Sequence, residues 1–482
     1  MHELTLDNGF RILSVKRGTA PVFFGLLRFR VGSVDDPGGA TGLAHLFEHM
    51  AFKGTSTIGT RDAAKEAILL DALDDAARAL NAELDRVGGA DPAKLDAARA
   101  RLAAAIKDHQ ALVVRDEFSA ILDANGATGL NASTSADATS YYVGLPSNRL
   151  ELWFLLESAR LRDPVLREIY SERNVVLEER RFRLDTNPAG KLYEQLLGAA
   201  FQAHPYRIAG VGWPSDLERV TRPQAETFRR AHYVPANAVA TLVGDVDPVA
   251  VESLARRYFA PIPATPAAPG VGTLEPEQSG ERRVQVQFDA EPQIMIAFHK
   301  PALADPADPV YEIIDSLLTG GRTSRLFRRL VIEEQVALGL STFEAPGRRY
   351  PNLFVFSASP RAPHGVADVE KSLLAELDRL GAEPPTAAEM EKIRNQVRAD
   401  NIYALRSNSG LAEQLSIFET ITGDWRNLEK REQALLQVTP EQVVAVAKRT
   451  FTAKNRTVAT LERPAAAAAN DAAAAGPEGG GR

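Results

Sequence analysis

His45-Leu46-Phe47-Glu48-His49 sets two histidines four residues apart with a glutamate beside the second. On a helix, residues three and four apart are neighbours on one face. Both imidazoles can then reach one metal ion, and the Glu48 carboxylate borders the same spot. Paired imidazoles suit Zn²⁺, and a catalytic zinc takes a third protein ligand and keeps one position for water. A carboxylate at that position can take the water's proton. The pattern is the order-reversed form of the H-E-x-x-H zinc helix. In a chain with 8 histidines among 482 residues, it arises by chance in about one chain in 100. The competing reading is two histidines capping or packing on an amphipathic helix, so the surrounding elements must decide.

Gly42 to Phe52 reads as the helix that carries the pattern. Ahead of it, Phe10 to Val15 and Pro21 to Val31 alternate apolar and polar residues on either side of a Gly-Thr-Ala turn, which predicts a β-hairpin. Behind it, Thr60 to Val114 has the Ala, Leu, Asp, Arg and Lys composition of long helices. Leu69, Leu73, Leu80 and Leu84 recur at helical spacing, and Leu95, Leu102 and Ile106 repeat this after a break at Val87 to Pro92. With Gly88 as a C-terminal cap, Asp91 as N-cap and Pro92 in the first turn, an antiparallel helical hairpin is expected. Leucine stripes of this kind ordinarily pack, so the hairpin reads as an arm without chemistry of its own.

Gly129 to Pro146 reads as paired strands, and Glu151 to Leu161 and Glu168 to Arg183 as helices. A Gly/Pro/Glu-rich linker, Val271 to Glu281, opens a second half. That half has a strand at Val284 to His299, helices at Tyr311 to Thr319 and Ser324 to Glu334, and a strand at Leu353 to Ser359. Helices follow at Val366 to Leu380 and Thr386 to Leu405. The order of elements repeats between the halves, a faint internal duplication. The expected domains are 1–270, with 60–114 as an inserted hairpin, and 271–463; the alanine- and glycine-rich tail 464–482 is expected to be disordered.

Composition excludes several classes. The chain is 45% hydrophobic and 25% charged, with formal net charge −7 and no cysteine. These values fit an ordinary globular protein and give no basic footprint for nucleic acid. No apolar run reaches the length of a membrane helix. Without cysteine there is no disulfide, thiolate metal site or cysteine nucleophile. Met1 to Asp7 lacks the basic and apolar regions of a secretory signal, so the expected compartment is the cytoplasm, or the periplasm where a leader has been trimmed.

Four segments occur in order: GLAHLFEHMAFKGT (Gly42 to Thr55), NASTSADATSYY (Asn131 to Tyr142), SERNVVLEE (Ser171 to Glu179) and HPY (His204 to Tyr206). Together they resemble the pitrilysin/insulysin family of inverzincin zinc metallopeptidases, which includes the mitochondrial processing peptidase. Its bacterial half-length catalytic subunits look most similar. The resemblance runs from about Leu4 to Arg463, apart from the hairpin. It implies an α+β fold of two homologous mixed-sheet-plus-helices domains that form half of a clamshell. It also implies one Zn²⁺ per chain on His45, His49 and Glu179, with Glu48 as general base. Seven residues is nearly two turns, so Glu172 shares a face with Glu179 and reads as a supporting carboxylate, whereas Glu178 points about 100° away. Asn131, Ala132, Ser133 and Thr134 look like the family's edge strand, to which a peptide substrate adds its backbone. The stretch between His49 and Glu179 exceeds the family's usual spacing; the hairpin accounts for the excess, and a closed insertion can leave a site intact. His204 reads as structural, and His109, His232, His299 and His364 lack partners at ligand spacing.

The second half departs from the family. The helix start Ser324-Arg325-Leu326-Phe327, preceded by Gly320-Gly321, is present. The family's Arg position then reads Val331 and its Tyr position, seven residues on, reads Leu338. Losing one oxyanion donor typically costs about 10²- to 10³-fold in rate. The resemblance therefore implies a heterodimer, in which a homologous partner with a ruined zinc motif supplies the Arg and Tyr. If the helix is out of alignment, Arg328, Arg329 or Tyr350 could substitute. The rival class is a non-catalytic scaffold or core subunit, which the intact zinc set disfavours. A use of the motif as in S-ribosylhomocysteine lyase falls with the absence of cysteine.

Overall fold

The computed structural model describes residues 1–18 and 20–464, so the expectation for the tail lies almost wholly outside the described residues. The chain divides into two compact units. The first holds 1–179, 210–272 and 402–426, and the second 180–209, 273–401 and the described residues from 427. One passage between units, at Gly272 and Thr273, falls in the Gly/Pro/Glu-rich stretch. Two further segments are exchanged, so the units are not contiguous halves.

The first unit is built on strands β1 (His2–Thr5), β2 (Arg11–Lys16), β3 (Val22–Phe29), β4 (Thr128–Thr134), β5 (Thr139–Pro146) and β6 (Ala238–Gly244), ordered β1-β2-β6-β3-β5-β4. Its helices are α1 (Leu43–Met50), α2 (Ala63–Leu84), α3 (Pro92–Gln110), α4 (Glu117–Ala124), α5 (Leu150–Arg162), α6 (Ile169–Arg180), which reaches its last residue as the unit ends, and then α8 (Pro214–Leu217), α9 (Arg222–His232), α10 (Pro248–Tyr258) and α14 (Asn408–Thr422). The second unit has β7 (Arg282–Gln287), β8 (Gln293–Lys300), β9 (Ala337–Ala345), β10 (Asn352–Pro360) and β11 (Arg456–Glu462), ordered β7-β11-β8-β10-β9. Around them lie α7 (Pro188–Ala200), α11 (Asp308–Thr319), α12 (Val366–Ala382), α13 (Ala387–Ala404), α15 (Asn427–Gln437) and α16 (Pro440–Thr450).

The predicted hairpin of the first strands does not form. β6, buried along its whole length, lies between β2 and β3, parallel to the first and antiparallel to the second. A strand with every side chain buried belongs at the centre of a sheet, and it displaces the local pairing. Likewise Val284 to His299 is two strands, broken at Pro292, with β11 between them. Both sheets thus have one parallel contact followed by antiparallel ones.

The insertion is an antiparallel pair of helices, its base closed by a bridge between Thr60 and Val113. Asp91 caps α3 through the amides of Ala93 and Lys94, and Pro92 sits in the first turn. Helix α2 ends at Leu84, and Gly88 turns the chain (φ +92°) beyond it rather than capping it. The buried seam also differs from the leucine reading. It runs through Glu66, Leu70, Leu73, Asp74, Ala77 and Leu80, leaving Leu69 and Leu84 half-buried. Two carboxylates, Glu66 and Asp74, sit in the seam among the apolar residues. Ser324 to Glu334 is mostly a π-helical run, Phe327–Glu333, and a shorter one, Arg181–Asp185, continues α6.

Candidate metal centre

Helix α1 is fixed first at its N-terminus. Gly42 takes φ +90°, and a Cβ there would stand 2.5 Å from the Val211 carbonyl, so the position needs glycine. The amides of Gly42 and Ala44 donate to Asp36 at 2.7 and 2.9 Å. The Asp36 side chain thereby satisfies amides at the helix start that have no partner within the helix. Burial pushes the Asp36 carboxyl up to about 8 against those two amide bonds. Thr41 is held from its amide and hydroxyl by Asp216 and accepts from the Trp213 amide. Leu43, Leu46, Phe47 and Met50 bury the helix's apolar side, with Phe47 against Tyr233 at 4.0 Å between rings. The opposite side carries His45, Glu48 and His49.

Helix α6 brings the carboxylates. His45 Nε2 and His49 Nε2 each lie 3.4 Å from the same oxygen, Glu179 Oε2. The imidazoles are nearly perpendicular, 5.0 Å apart at their centres. A tetrahedron with zinc–ligand bonds of about 2.1 Å has edges of about 3.4 Å, so two edges of the donor triangle match. Among the described residues, these three side chains are the one group of three potential donors close enough to share an ion. The residues fit a zinc ion, with two imidazole nitrogens and one carboxylate as ligands.

On the other side of the ring, His49 Nδ1 lies 3.3 Å from Glu172 Oε2, and Lys53 Nζ is 2.6 Å from Glu172 Oε1. This pairing fixes the ring orientation and leaves Nε2 facing Glu179. Burial works against charging His49, but Glu172 and Glu179 outweigh it and raise its pKa to about 9 in the metal-free site. Glu172 also feels burial, overcome by His49 and Lys53, which hold its carboxyl below the usual range. Glu48 is half-buried and forms no hydrogen bond or ion pair among the described residues. Glu178 is exposed. Lys53 was missed in the sequence, although it stands four residues after His49 in the quoted segment and so one turn beyond it.

Asn131, Ala132, Ser133 and Thr134 lie on β4, at the edge of the first sheet and against α1. β4 pairs with β5 alone, with an irregularity between Thr128 and Asn131. Its other edge meets no strand among the described residues.

The remaining histidines serve locally. His204 Nδ1 accepts from the Tyr206 amide, His299 Nε2 lies 3.0 Å from the Ala200 carbonyl, His109 pairs with Glu66, and His364 with Asp368. His232 lies against the Phe228 ring. In the second unit Val331 packs against the core and Leu338 is 62% exposed on β9. Arg328 pairs with Glu333, Arg329 with Glu334 and Glu376, and the Tyr350 amide donates to the Tyr206 hydroxyl.

Residues 11–86 match the family model described as insulinase (peptidase family M16), and residues 219–397 the one described as peptidase M16 inactive domain. The zinc protease PqqE of Helicobacter pylori is 25% identical over 459 residues, 93% of this chain and 90% of that protein. The crystal structure of a protease from Helicobacter pylori superposes with a TM-score of 0.80 at 25% identity, covering 96% of this chain and 99% of the other. The periplasmic protease PqqL of Escherichia coli shares the fold with a TM-score of 0.71 at 17% identity; 97% of this chain lies on 48% of that one.

Proposed function

The chain belongs to the peptidase M16 family, and from that premise we propose that it is a zinc-dependent endopeptidase acting on peptides or unfolded segments. The observation that carries the reading is the convergence of His45 and His49 on one oxygen of Glu179, with Glu48 on the same helix. When bound, zinc polarises the scissile carbonyl and acidifies a water. His45, His49 and Glu179 hold the ion. Glu172 keeps the proton of His49 on Nδ1, and Lys53 balances Glu172. Glu48 takes the proton of the attacking water and returns it to the leaving amine. The free edge of β4 supports main-chain pairing with an extended substrate through Asn131 to Thr134, which favours flexible chains over particular sequences.

Val331 and Leu338 offer no electrophilic donor, and the chain spans about half of PqqL. Both facts support action as one subunit of a pair, whose homologous partner supplies an Arg and a Tyr. The test is hydrolysis of a quenched fluorogenic peptide mixture by the purified, zinc-loaded chain beside Glu48→Gln. Expected is weak, chelator-sensitive turnover that falls a further ~10²- to 10⁴-fold in the variant. Turnover should rise about 10²- to 10³-fold with a homologue carrying the Arg and Tyr. Full activity from the chain alone removes the need for a partner. A folded chain that holds no zinc favours a scaffold over a peptidase.

A further inference from the structure

The inserted hairpin carries two acidic residues in its buried seam, and both are spent on the helix that bears Glu172 and Glu179. Glu66, 2% exposed, receives the guanidinium of Arg167, which is fully buried two residues ahead of α6. Arg167 Nε donates to Glu66 Oε1 at 2.8 Å and Nη2 to Glu66 Oε2 at 2.9 Å. The remaining N–H groups reach the carbonyls of Lys53, Ile58 (2.8 Å) and Thr55 (2.7 Å). All five guanidinium donors are thereby used. His109 of α3 completes the shell, with Nε2 3.1 Å from Glu66. The loop after α1 is shaped to this cation: a Cβ on Gly59 would stand 2.5 Å from Arg167 Nη1 and from the Lys53 carbonyl.

Two turns further along α2, Asp74 accepts from the Tyr170 hydroxyl at 2.7 Å and from Arg222 Nη2 at 2.7 Å. Tyr170 sits in the first turn of α6, and its oxygen also accepts from the Arg222 amide. The start of α6 is therefore fastened at two points by one face of α2. From Tyr170 to Glu179 the helix rises about 13.5 Å. A tilt of about 4° at the anchor would carry Glu179 about 1 Å, twice the tolerance of about 0.5 Å that a preorganised site allows.

We propose that the hairpin is a brace for the metal centre. Glu66 and Asp74 are positioning residues that act through Arg167 and Tyr170 to set where α6 presents Glu172 and Glu179 to His45 and His49. The same anchor fixes Lys53, because its carbonyl is one of the acceptors of Arg167. This inference rests on the metal reading.

The test compares the full-length chain with Glu66→Gln, Glu66→Asp and Tyr170→Phe. It uses chelator competition for Zn²⁺ and the visible spectrum of the Co²⁺-loaded protein, with thermal unfolding of the metal-free chain as the measure of fold. Tyr170→Phe removes one hydroxyl and keeps the ring, so it should fold where a charge change does not. Expected is a loss of about 10- to 100-fold in zinc affinity, the size seen for outer partners of metal ligands, with a displaced Co²⁺ band and partial rescue in Glu66→Asp. Asp85→Asn, which removes a surface ion pair between the hairpin and Arg219, should leave both readouts unchanged. Wild-type affinity and spectrum in folded variants overturn the brace. So does a loss no larger than in Leu102→Ala, a packing change in α3 matched for stability. A wild-type chain that binds neither metal overturns the metal reading, and the brace with it.

Discussion

The two units run the same sheet and put it to different use. β2-β6-β3-β5-β4 and β7-β11-β8-β10-β9 have the same order of parallel and antiparallel contacts. A helix follows the third strand of each, α1 after β3 and α11 after β8. On α11 the carboxylates are matched. Asp308 takes Lys300 and Arg431 at 2.7 and 2.8 Å, Glu312 takes Arg431, and Asp315 bonds Thr342 and Thr319. The rest of that helix, Ile313, Ile314, Leu317 and Leu318, is core. On α1 the balance differs. His45 and His49 meet Glu172 and Glu179 of α6, Glu48 stands on α1 with them without an ion pair among the described residues, and Lys53 is the cation beside Glu172. Charged groups persist away from water only when paired or bound to metal. One scaffold thus carries a closed polar network on α11 and, on α1 with α6, a donor set that fits a dication.

The sharpest way to break this comparison is to neutralise one acid in each unit. Glu179→Gln should lower zinc affinity by more than about 100-fold, since even outer partners cost 10- to 100-fold. Glu312→Gln, on α11, should change stability alone. Chelator competition reads both. If Glu179→Gln keeps its zinc while Glu178→Gln loses it, the third ligand has been misassigned.

Acidity offers a second, smaller contrast. The metal-free chain raises His49 to about 9 from an ordinary 6.5 because Glu172 and Glu179 outweigh its burial. The folded pKa lies above the unfolded one, so the added stability is complete below pH about 6.5 and disappears as pH rises through about 9. The shift corresponds to about 3 kcal/mol. Zinc binds the neutral imidazole, so loading the chain should flatten that slope. Denaturant unfolding at pH 6 and pH 9.5, with and without zinc, measures it. A metal-free chain equally stable at both values contradicts the pairing of His49 with its two carboxylates.

The candidate donor cluster of His45, His49 and Glu179 was legible because metal chemistry asks for particular side chains at helical spacing, and the family resemblance selected Glu179 over Glu178. The brace was not. Counting leucines in α2 passes over Glu66 and Asp74, whose partners Arg167 and Arg222 stand 101 and 148 residues away. Strand order also escaped, because β6 intrudes between two strands that are neighbours in sequence. The duplication itself hides a trap. Val239-Ala240-Thr241-Leu242 and Val458-Ala459-Thr460-Leu461 are identical, yet Ala238 faces Phe29 and Arg456 faces Phe298 at the corresponding rungs. The matching text is therefore one residue out of register, and such a slip exchanges the two faces of a strand.

The register that does correspond is marked by two asparagines, and they give the smallest test. Asn237 Nδ2 donates to the carbonyls of Arg30 and His232 at 3.0 and 2.9 Å. Asn455 Nδ2 donates to those of His299 and Thr450, both at 2.9 Å. Each follows, at the same spacing, a helix opened by a Thr and a Gln whose side chain returns to the Thr amide, Thr221 with Gln224 and Thr439 with Gln442. Each asparagine therefore ties a helix end to the third strand of its own sheet. Removing two such bonds costs about 1 to 3 kcal/mol. Asn237→Ala and Asn455→Ala should lose the same stability within about 0.5 kcal/mol and keep their zinc, because neither touches the donors. A cost confined to one unit, read by denaturant unfolding, means that the asparagines share a position in the fold without sharing its load.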